Sequence, residues 1–246
     1  MNQAHYAFIG DIHSQAGPLL EALDYCHYNR LIPVFLGDLF DSRVATSDSV
    51  AVYNTVRQAV ENGAIVLRSN HQDKLERYAR GNKVMLQQGF ERTVQDFTEA
   101  GIAIEEVAQW LETFPYGIAF RDSEGTEYRC AHAMFPRWIV VPEQYEGVYR
   151  VNAVTRKARD YMLYGPRRAG AVWPQDETRV FWWEEPSDRE WVRVGGHYHT
   201  VHIDEKNLVL DGEMGGSTHE SYNPEESRLC LWNVEMKKLV EFRNHE

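Results

Sequence analysis

The sequence predicts an α/β fold in which helices pack on parallel or mixed sheets. Three observations predict this class: short apolar runs alternate with helical patterns, each run ends in a polar loop, and the second half adds further strand-like runs. Strand, helix and strand in succession are typical of sheets whose faces are covered by helices. The chain is therefore interpreted as a layered α/β sandwich in one domain, residues 1–246.

Three strands and two helices are predicted in the first half. The strands cover residues 6–9, 31–36 and 64–67, which are apolar and stop at Gly-Asp or Ser-Asn. The helices cover residues 18–28 and 47–61. Proline near the start of the first helix is tolerated, because the first N–H groups of a helix have no intrahelical partner.

The second half is less regular. Helices are predicted at residues 105–112 and 149–161, and a hairpin with its turn at 123–125 joins strands at 117–120 and 128–131. Further strands are predicted at 191–194, 207–210, 228–232 and 239–242. Residues 165–190, rich in Pro, Arg, Asp and Trp, are interpreted as an inserted flap.

The composition excludes several classes of protein. A net charge of −11 argues against a general nucleic-acid binder, but a small anionic substrate stays open because bound metals reverse the local field. The three cysteines form no CxxC pair, so neither a zinc knuckle nor a disulfide framework is indicated. No signal peptide and no apolar run of about twenty residues is visible, which predicts a cytoplasmic protein without a membrane partner.

Side chains that ligate metals follow the predicted strands. They are Asp11 and His13, Asp38, Asn70, His132, and finally His197 and His199. Ligands of open α/β sheets bind beyond the carboxyl ends of the strands, so these loops are expected to converge. Singly, each residue has an ordinary structural explanation, such as a turn or a buried core histidine. Their joint occurrence at strand ends favours a shared metal site, and mixed oxygen and imidazole ligands suit Mn, Fe or Zn.

Five motifs occur in a set order along the chain. They are GDIH at 10–13, GDLFD at 37–41, SNHQ at 69–72, His132, and GHYH at 196–199. Together they resemble the calcineurin-like metallophosphoesterase superfamily, whose pattern is DxH, GDxxD, GNH, a distant His and GHxH. The resemblance spans most of the chain. It implies an α/β/β/α sandwich of mixed sheets with helices outside, and phosphate ester hydrolysis by a hydroxide held at two divalent metals, with Mn first and Fe, Zn, Ni or Co as alternatives.

The resemblance also implies a role for each motif residue. One metal would be held by Asp11, His13 and His199, the other by Asn70, His132 and His197, with Asp38 bridging them. His71 would protonate the leaving group, and Asp41 would hold the other ring nitrogen of His71. The alternative for Asp41 is a capping role in its turn.

Three residues depart from the family pattern, and the third departure concerns phosphate binding. Ser69 replaces the glycine before Asn-His, and Gln72 replaces the acidic residue after it. Protein phosphatases of the superfamily have an arginine directly after GDxxD, whereas here Ser42 stands there and Arg43 follows. Arg43 and Arg68 are therefore the candidate phosphate-binding cations, with Asn70 beside them. An arginine at a strand end, such as Arg68, is more often a surface salt-bridge partner.

The substrate class stays open at this level. Residues 70–84 are similar to a subgroup that contains PrpE-like phosphatases, symmetrical diadenosine tetraphosphatases and the phosphatase module of bacterial polynucleotide kinase–phosphatases, and Asp211 resembles its late aspartate. The first hypothesis is a phosphatase for phosphate monoesters of proteins or small compounds. The rivals are a symmetrical diadenosine tetraphosphate hydrolase and a nucleic-acid end-processing enzyme. The latter would use Arg167, Arg168, Trp173, Trp182 and Trp183 as a stacking surface. Packing in the core or in the flap is the favoured alternative for these tryptophans. A non-enzymatic scaffold is a further alternative. The presence of every metal-ligand residue of the family pattern argues against it.

Overall fold

The computed structural model describes residues 4–166, 180–184, 189–216 and 224–243. The strands are β1 (Tyr6–Ile9), β2 (Ile32–Phe35), β3 (Ile65–Val66), β4 (Gly117–Arg121), β5 (Glu127–Ala131), β6 (Tyr149–Val151), β7 (Val192–Gly195), β8 (Val201–Ile203), β9 (Asn207–Leu210), β10 (Leu229–Asn233) and β11 (Lys238–Phe242). The helices are α1 (Ala16–Tyr28), α2 (Ser49–Glu61), α3 (Asn70–Ala79), α4 (Phe90–Glu99), α5 (Ile104–Leu111) and α6 (Arg156–Tyr164).

The described strands form two mixed sheets. The first has the order β11-β10-β1-β2-β3, with β1, β2 and β3 parallel to one another. The second has the order β6-β4-β5-β7-β9-β8, with β5, β7 and β9 parallel. The first sheet is antiparallel only on its β10 and β11 side, and the second sheet is antiparallel at both edges. The parallel strands of each sheet therefore end at one side.

The two sheets pack face to face, and helices cover their outer faces. Along β1, Tyr6 and Phe8 enter the core between the sheets, whereas Ala7 and Ile9 enter the core under the helices of the first sheet. This alternation follows from the two-residue period of a strand. The outer face of the second sheet packs on residues that include Met162 of α6. The α/β/β/α layering is confirmed.

Most predicted elements are confirmed within a few residues, and one is wrong. The predicted helix at 149–161 begins with strand β6, which pairs with the edge of β4, and α6 starts only at Arg156. Thr155 caps α6 because its hydroxyl accepts from the backbone N–H of Ala158. Helices α3 and α4 and strand β8 were not predicted from the sequence. The predicted flap falls largely on 167–179 and 185–188, outside the described residues, and stays a prediction, as does the single-domain boundary.

The described cysteines are free and buried, and burial raises the pKa of the Cys26 and Cys230 thiols to about 12. Thiols in such surroundings stay protonated and unreactive, so they do not act as nucleophiles. Among the described helices, none is both long and apolar enough to cross a bilayer.

Candidate metal centre

The register of the strands brings the motif loops to one level. Ile9 of β1 pairs with Phe35 of β2, and Phe35 pairs with Val66 of β3, so the three loops leave the first sheet side by side. In the second sheet, Cys130 of β5 pairs with Val194 of β7, so the loops that carry His132 and His197 also start together. Convergence of the motifs therefore follows from parallel pairing within both sheets.

Left-handed backbone conformations occur at several site residues. The φ angles are 48° at His13, 41° at Asp38, 67° at Asp41 and 71° at His197. Such conformations cost about 1–3 kcal/mol each for residues other than glycine and cluster at functional sites. Hydrogen bonds hold these loops: the N–H of His13 donates to the carbonyl of Asp38 at 2.8 Å.

Asp38 lies at the middle of the site. Its Oδ2 is 3.8 Å from Nε2 of His13, 3.9 Å from Nε2 of His71 and 3.4 Å from Nε2 of His132. Burial alone would raise the pKa of Asp38, but His132 and His71 hold it well below its usual range. The carboxylate is therefore ionised and shared between two groups of candidate ligand atoms, one with His13 and His71 and one with His132 and His197.

The ring of His13 is oriented by backbone carbonyls. Its Nδ1 lies 3.1 Å from the carbonyl oxygen of Phe40 and 2.8 Å from that of Asp41, so Nδ1 carries the hydrogen and donates it. In the neutral ring, the lone pair is then on Nε2, which faces Asp38. Burial lowers the pKa of His13 and favours the neutral form, which is the form that ligates a metal.

His132 is held in the same manner on the other side of Asp38. Its Nδ1 donates to the carbonyl oxygen of Leu36 at 3.0 Å, which leaves the Nε2 lone pair of the neutral ring facing inward. Nε2 lies 2.7 Å from Oδ1 of Asn70 and 3.3 Å from Nδ1 of His197. A ring lone pair and an amide oxygen this close repel one another unless a proton or a cation lies between them. This arrangement fits a metal held by Asn70, His132 and His197.

Asp11 contributes a buried carboxylate with spare acceptor capacity. Its Oδ2 accepts from the backbone N–H of His197 at 3.0 Å, whereas its buried Oδ1 has no hydrogen-bond partner in the described part of the chain. Burial and the nearby charges of Asp211 and Asp38 raise the pKa of Asp11 well above its usual value. A bound cation would relieve this repulsion, so the donor set fits divalent metals.

His71 and Asp41 form a dyad beside Asp38. Nδ1 of His71 lies 2.7 Å from Oδ2 of Asp41, so the ring donates to the carboxylate and Nε2 points towards Asp38. Burial would lower the pKa of His71, but Asp38 and Asp41 raise it above its usual value. The protonated ring is therefore favoured, as a general acid requires.

Three other residues that were predicted to bind metal or phosphate are His199, Arg43 and Arg68, and each has different surroundings. The side chain of His199 is exposed, and neither described group of candidate ligand atoms contains it. Arg43 is exposed, and its backbone N–H donates to the carbonyl of Gly215 at 2.9 Å. Arg68 pairs with Glu76 and stacks on the ring of Tyr116, 4.6 Å from its centre. The roles assigned to these three residues stay predictions.

Asp211 lies at the site, although the sequence indicated it only through its resemblance to the late aspartate of the subgroup. It follows β9, and its carboxylate accepts from the backbone N–H of His199 at 2.7 Å and of Glu213 at 3.0 Å. These bonds fix the backbone of the GHYH loop. The signal was available in the sequence, because Asp211 is one more acidic residue directly after an apolar strand.

We expect Gly196→Ala to reduce metal binding. A Cβ at position 196 would lie 2.0 Å from Oδ1 of Asp11, so the carboxylate or the loop must move. Gly17→Ala is the matched control, since a Cβ there has no atom within 4 Å. Calorimetric titration with Mn²⁺ should show affinity at least about tenfold weaker for Gly196→Ala alone. Equal affinities would contradict the placement of Asp11.

We expect Arg68→Gln to destabilise the protein by about 1–3 kcal/mol, because the buried Glu76 carboxyl loses its charged partner. Burial raises the pKa of Glu76 to about 7, so protonation of the carboxyl limits the loss. Denaturant unfolding would measure this loss. Arg30→Gln, at an exposed position, should be neutral by comparison. Unchanged unfolding together with a raised KM would instead support the phosphate-binding role of Arg68.

Comparisons with known proteins agree with this geometry. The family model described as calcineurin-like phosphoesterase matches residues 4–228. The chain is 27% identical over 209 residues to the asymmetrical bis(5'-nucleosyl)-tetraphosphatase PrpE of Bacillus subtilis, covering 78% of each chain. It is 26% identical over 204 residues to the same-named protein of Oceanobacillus iheyensis, covering 78% of this chain and 71% of that one.

Two solved structures share the fold. One, described as a putative diadenosine tetraphosphatase, has a TM-score of 0.60 at 16% identity and covers 99% of this chain and 95% of its own. The other, a cold-active protein-tyrosine phosphatase of a psychrophilic Shewanella, has a TM-score of 0.52 at 14% identity and covers 98% and 81%. With the family model matching most of its length, the chain belongs to the calcineurin-like phosphoesterases and is a metal-dependent phosphoester hydrolase.

Proposed function

We propose that the protein hydrolyses phosphate monoesters of phosphoproteins or small phosphorylated compounds at a centre of two divalent metals. The observation that carries this proposal is the sharing of Asp38 between two groups of histidines, with the dyad of His71 and Asp41 alongside. Bound divalent ions would polarise the phosphate oxygens and lower the pKa of the attacking water. Mn²⁺ is the ion of first choice for this mixture of carboxylate, amide and imidazole ligands.

The residues of the chain divide the remaining tasks. Asp11 and His13 are proposed to hold one ion, Asn70, His132 and His197 the other, and Asp38 both. His71 would donate the proton on Nε2 to the departing oxygen, while the bond from Nδ1 to Asp41 keeps the ring in place. The carbonyls that accept from His13 and His132 fix both rings as ligands before any ion arrives.

A dinucleoside polyphosphate is the second candidate substrate. The names of the two PrpE relatives support it, and they specify asymmetrical cleavage, whereas the reaction expected from the sequence was the symmetrical one. The products separate the two reactions. Symmetrical hydrolysis of diadenosine tetraphosphate gives ADP alone, and asymmetrical hydrolysis gives ATP and AMP.

Turnover of the Mn-loaded protein on p-nitrophenyl phosphate, a phosphopeptide and diadenosine tetraphosphate would test the proposal. Hydrolysis of any of them that is abolished by chelation supports the phosphoesterase activity. The relative kcat/KM values assign the substrate type. Metal-loaded protein without turnover on any phosphorylated compound would contradict the proposed function.

A further inference from the structure

A cleft of about 890 Å³ opens directly beside the metal centre. Asn70 and His71, the first residues of α3, line its inner end, and the lining continues along α3, through residues 83–85, 87 and 88, and along α6. Because His71 is the proposed general acid, this cleft extends from the side on which the leaving group departs. The leaving group would therefore lie in it.

The cleft is basic in a chain that is strongly acidic. Five basic side chains line it: Lys74, Arg77, Lys83, Arg156 and Arg159. The acidic residues of the lining are Asp73 and Asp160, and both pair with Arg159. The chain as a whole carries a net charge of −11, so this concentration of positive charge contrasts with the rest of the molecule.

Three of these cations are available for a ligand. Lys74 donates to the carbonyl of Gln87 at 2.9 Å and lies over the ring of Phe90, so it supports the wall of the cleft. Arg77, Lys83 and Arg156 are exposed, and none of them takes part in an ion pair within the described residues. We call Arg77, Lys83 and Arg156 the cleft cations.

The position of the cleft cations defines what they can bind. Arg77 lies six residues after His71 on α3, which is about 9 Å along the helix axis. A single phosphate bound at the metals does not extend over that distance. A leaving group that carries further phosphates does, and Arg and Lys side chains at its path would bind them by charge-assisted hydrogen bonds.

We propose that Arg77, Lys83 and Arg156 form a distal phosphate subsite, which makes the enzyme selective for substrates whose leaving group is itself phosphorylated. This inference rests on the proposed function and narrows its substrate class to compounds with a chain of phosphates. The cleft cations would then bind substrate phosphates in place of Arg43 and Arg68, the two arginines expected to do so from the sequence. Arg43 does not line the cleft, and Arg68 is paired with Glu76.

The test compares Arg77→Gln and Lys83→Gln with the control Lys238→Gln. Lys238 is an exposed charge on β11, the edge strand of the first sheet. Substrates are inorganic tripolyphosphate, diadenosine tetraphosphate and p-nitrophenyl phosphate, with free Mn²⁺ held constant. Each cleft variant should lose about tenfold in kcat/KM on the polyphosphates, the effect of one charge-assisted hydrogen bond. Turnover of p-nitrophenyl phosphate and the behaviour of Lys238→Gln should stay at the unmodified level.

The outcomes distinguish recognition of the phosphate chain from recognition of the nucleoside, and failure of the subsite from failure of the proposed function. Equal losses on both polyphosphates indicate recognition of the phosphate chain, and a loss on the dinucleotide alone indicates that the nucleoside positions it; both support the subsite. Equal losses on p-nitrophenyl phosphate, or unchanged turnover of both polyphosphates by the cleft variants, would overturn it. If no compound is turned over, the proposed function fails. Calorimetric titration with tripolyphosphate then still decides the subsite, because unchanged affinity in the variants contradicts it.

Discussion

Asp38→Asn is expected to remove both metals from the protein together. Oδ2 of Asp38 faces Nε2 of His13 and of His132, one on each side, so a single carboxylate neutralises charge at both positions. Asparagine keeps the shape and tolerates the φ of 41°, so the backbone should be retained. Affinity for both ions should fall by more than about 100-fold, and activity should fall with it.

Metal content measured by plasma emission after dialysis would check this expectation. Asp24→Asn is the matched control, because it removes the same charge from the exposed face of α1. Circular dichroism would show that the variant stays folded. Full occupancy in Asp38→Asn would contradict a bridging role, and loss of one ion alone would assign Asp38 to a single metal.

His71→Asn is expected to lower turnover on substrates with poor leaving groups by about 10²–10⁴-fold. An alkoxide must be protonated as it departs, and Nε2 of His71 carries the available proton next to Asp38. A p-nitrophenolate leaves without a proton, so turnover of p-nitrophenyl phosphate should fall much less. Asp41→Asn should show the same dependence on the leaving group with a smaller loss, because Asp41 acts through the ring of His71.

Metal content decides between two roles for His71. The ring also lies in one group of candidate ligand atoms with His13 and Asp38, so it could bind a metal instead. Retained metals together with a leaving-group dependence support the general acid. Lost metals, or equal losses on both substrates, would remove that assignment. His27→Asn, at an exposed position on α1, is the control for loss of an imidazole.

Much of the fold was accessible from the sequence because its signals are local. The apolar runs of β1, β2 and β3 and the polar residues that end them are contiguous in the chain. The errors arose where tertiary contacts outweighed local preference. Residues Tyr149–Val151 have partners on β4 that a single segment does not reveal. In α4, Phe90 and Phe97 recur at helical spacing, but Gly89 and the loop before it obscured the start.

The sequence by itself determined the types of the candidate ligands, their order and their positions at strand ends, because these depend on residue identity and on short-range patterns. Only the tertiary structure decided which nitrogen of His13 and His132 faces the centre, since carbonyls distant in sequence fix the rings. It also paired Arg68 with Glu76 and gathered cations from α3, α6 and the loop between α3 and α4 into one cleft. Such pairings depend on which loops and helices become neighbours, and this is set by sheet register and helix packing rather than by any one segment.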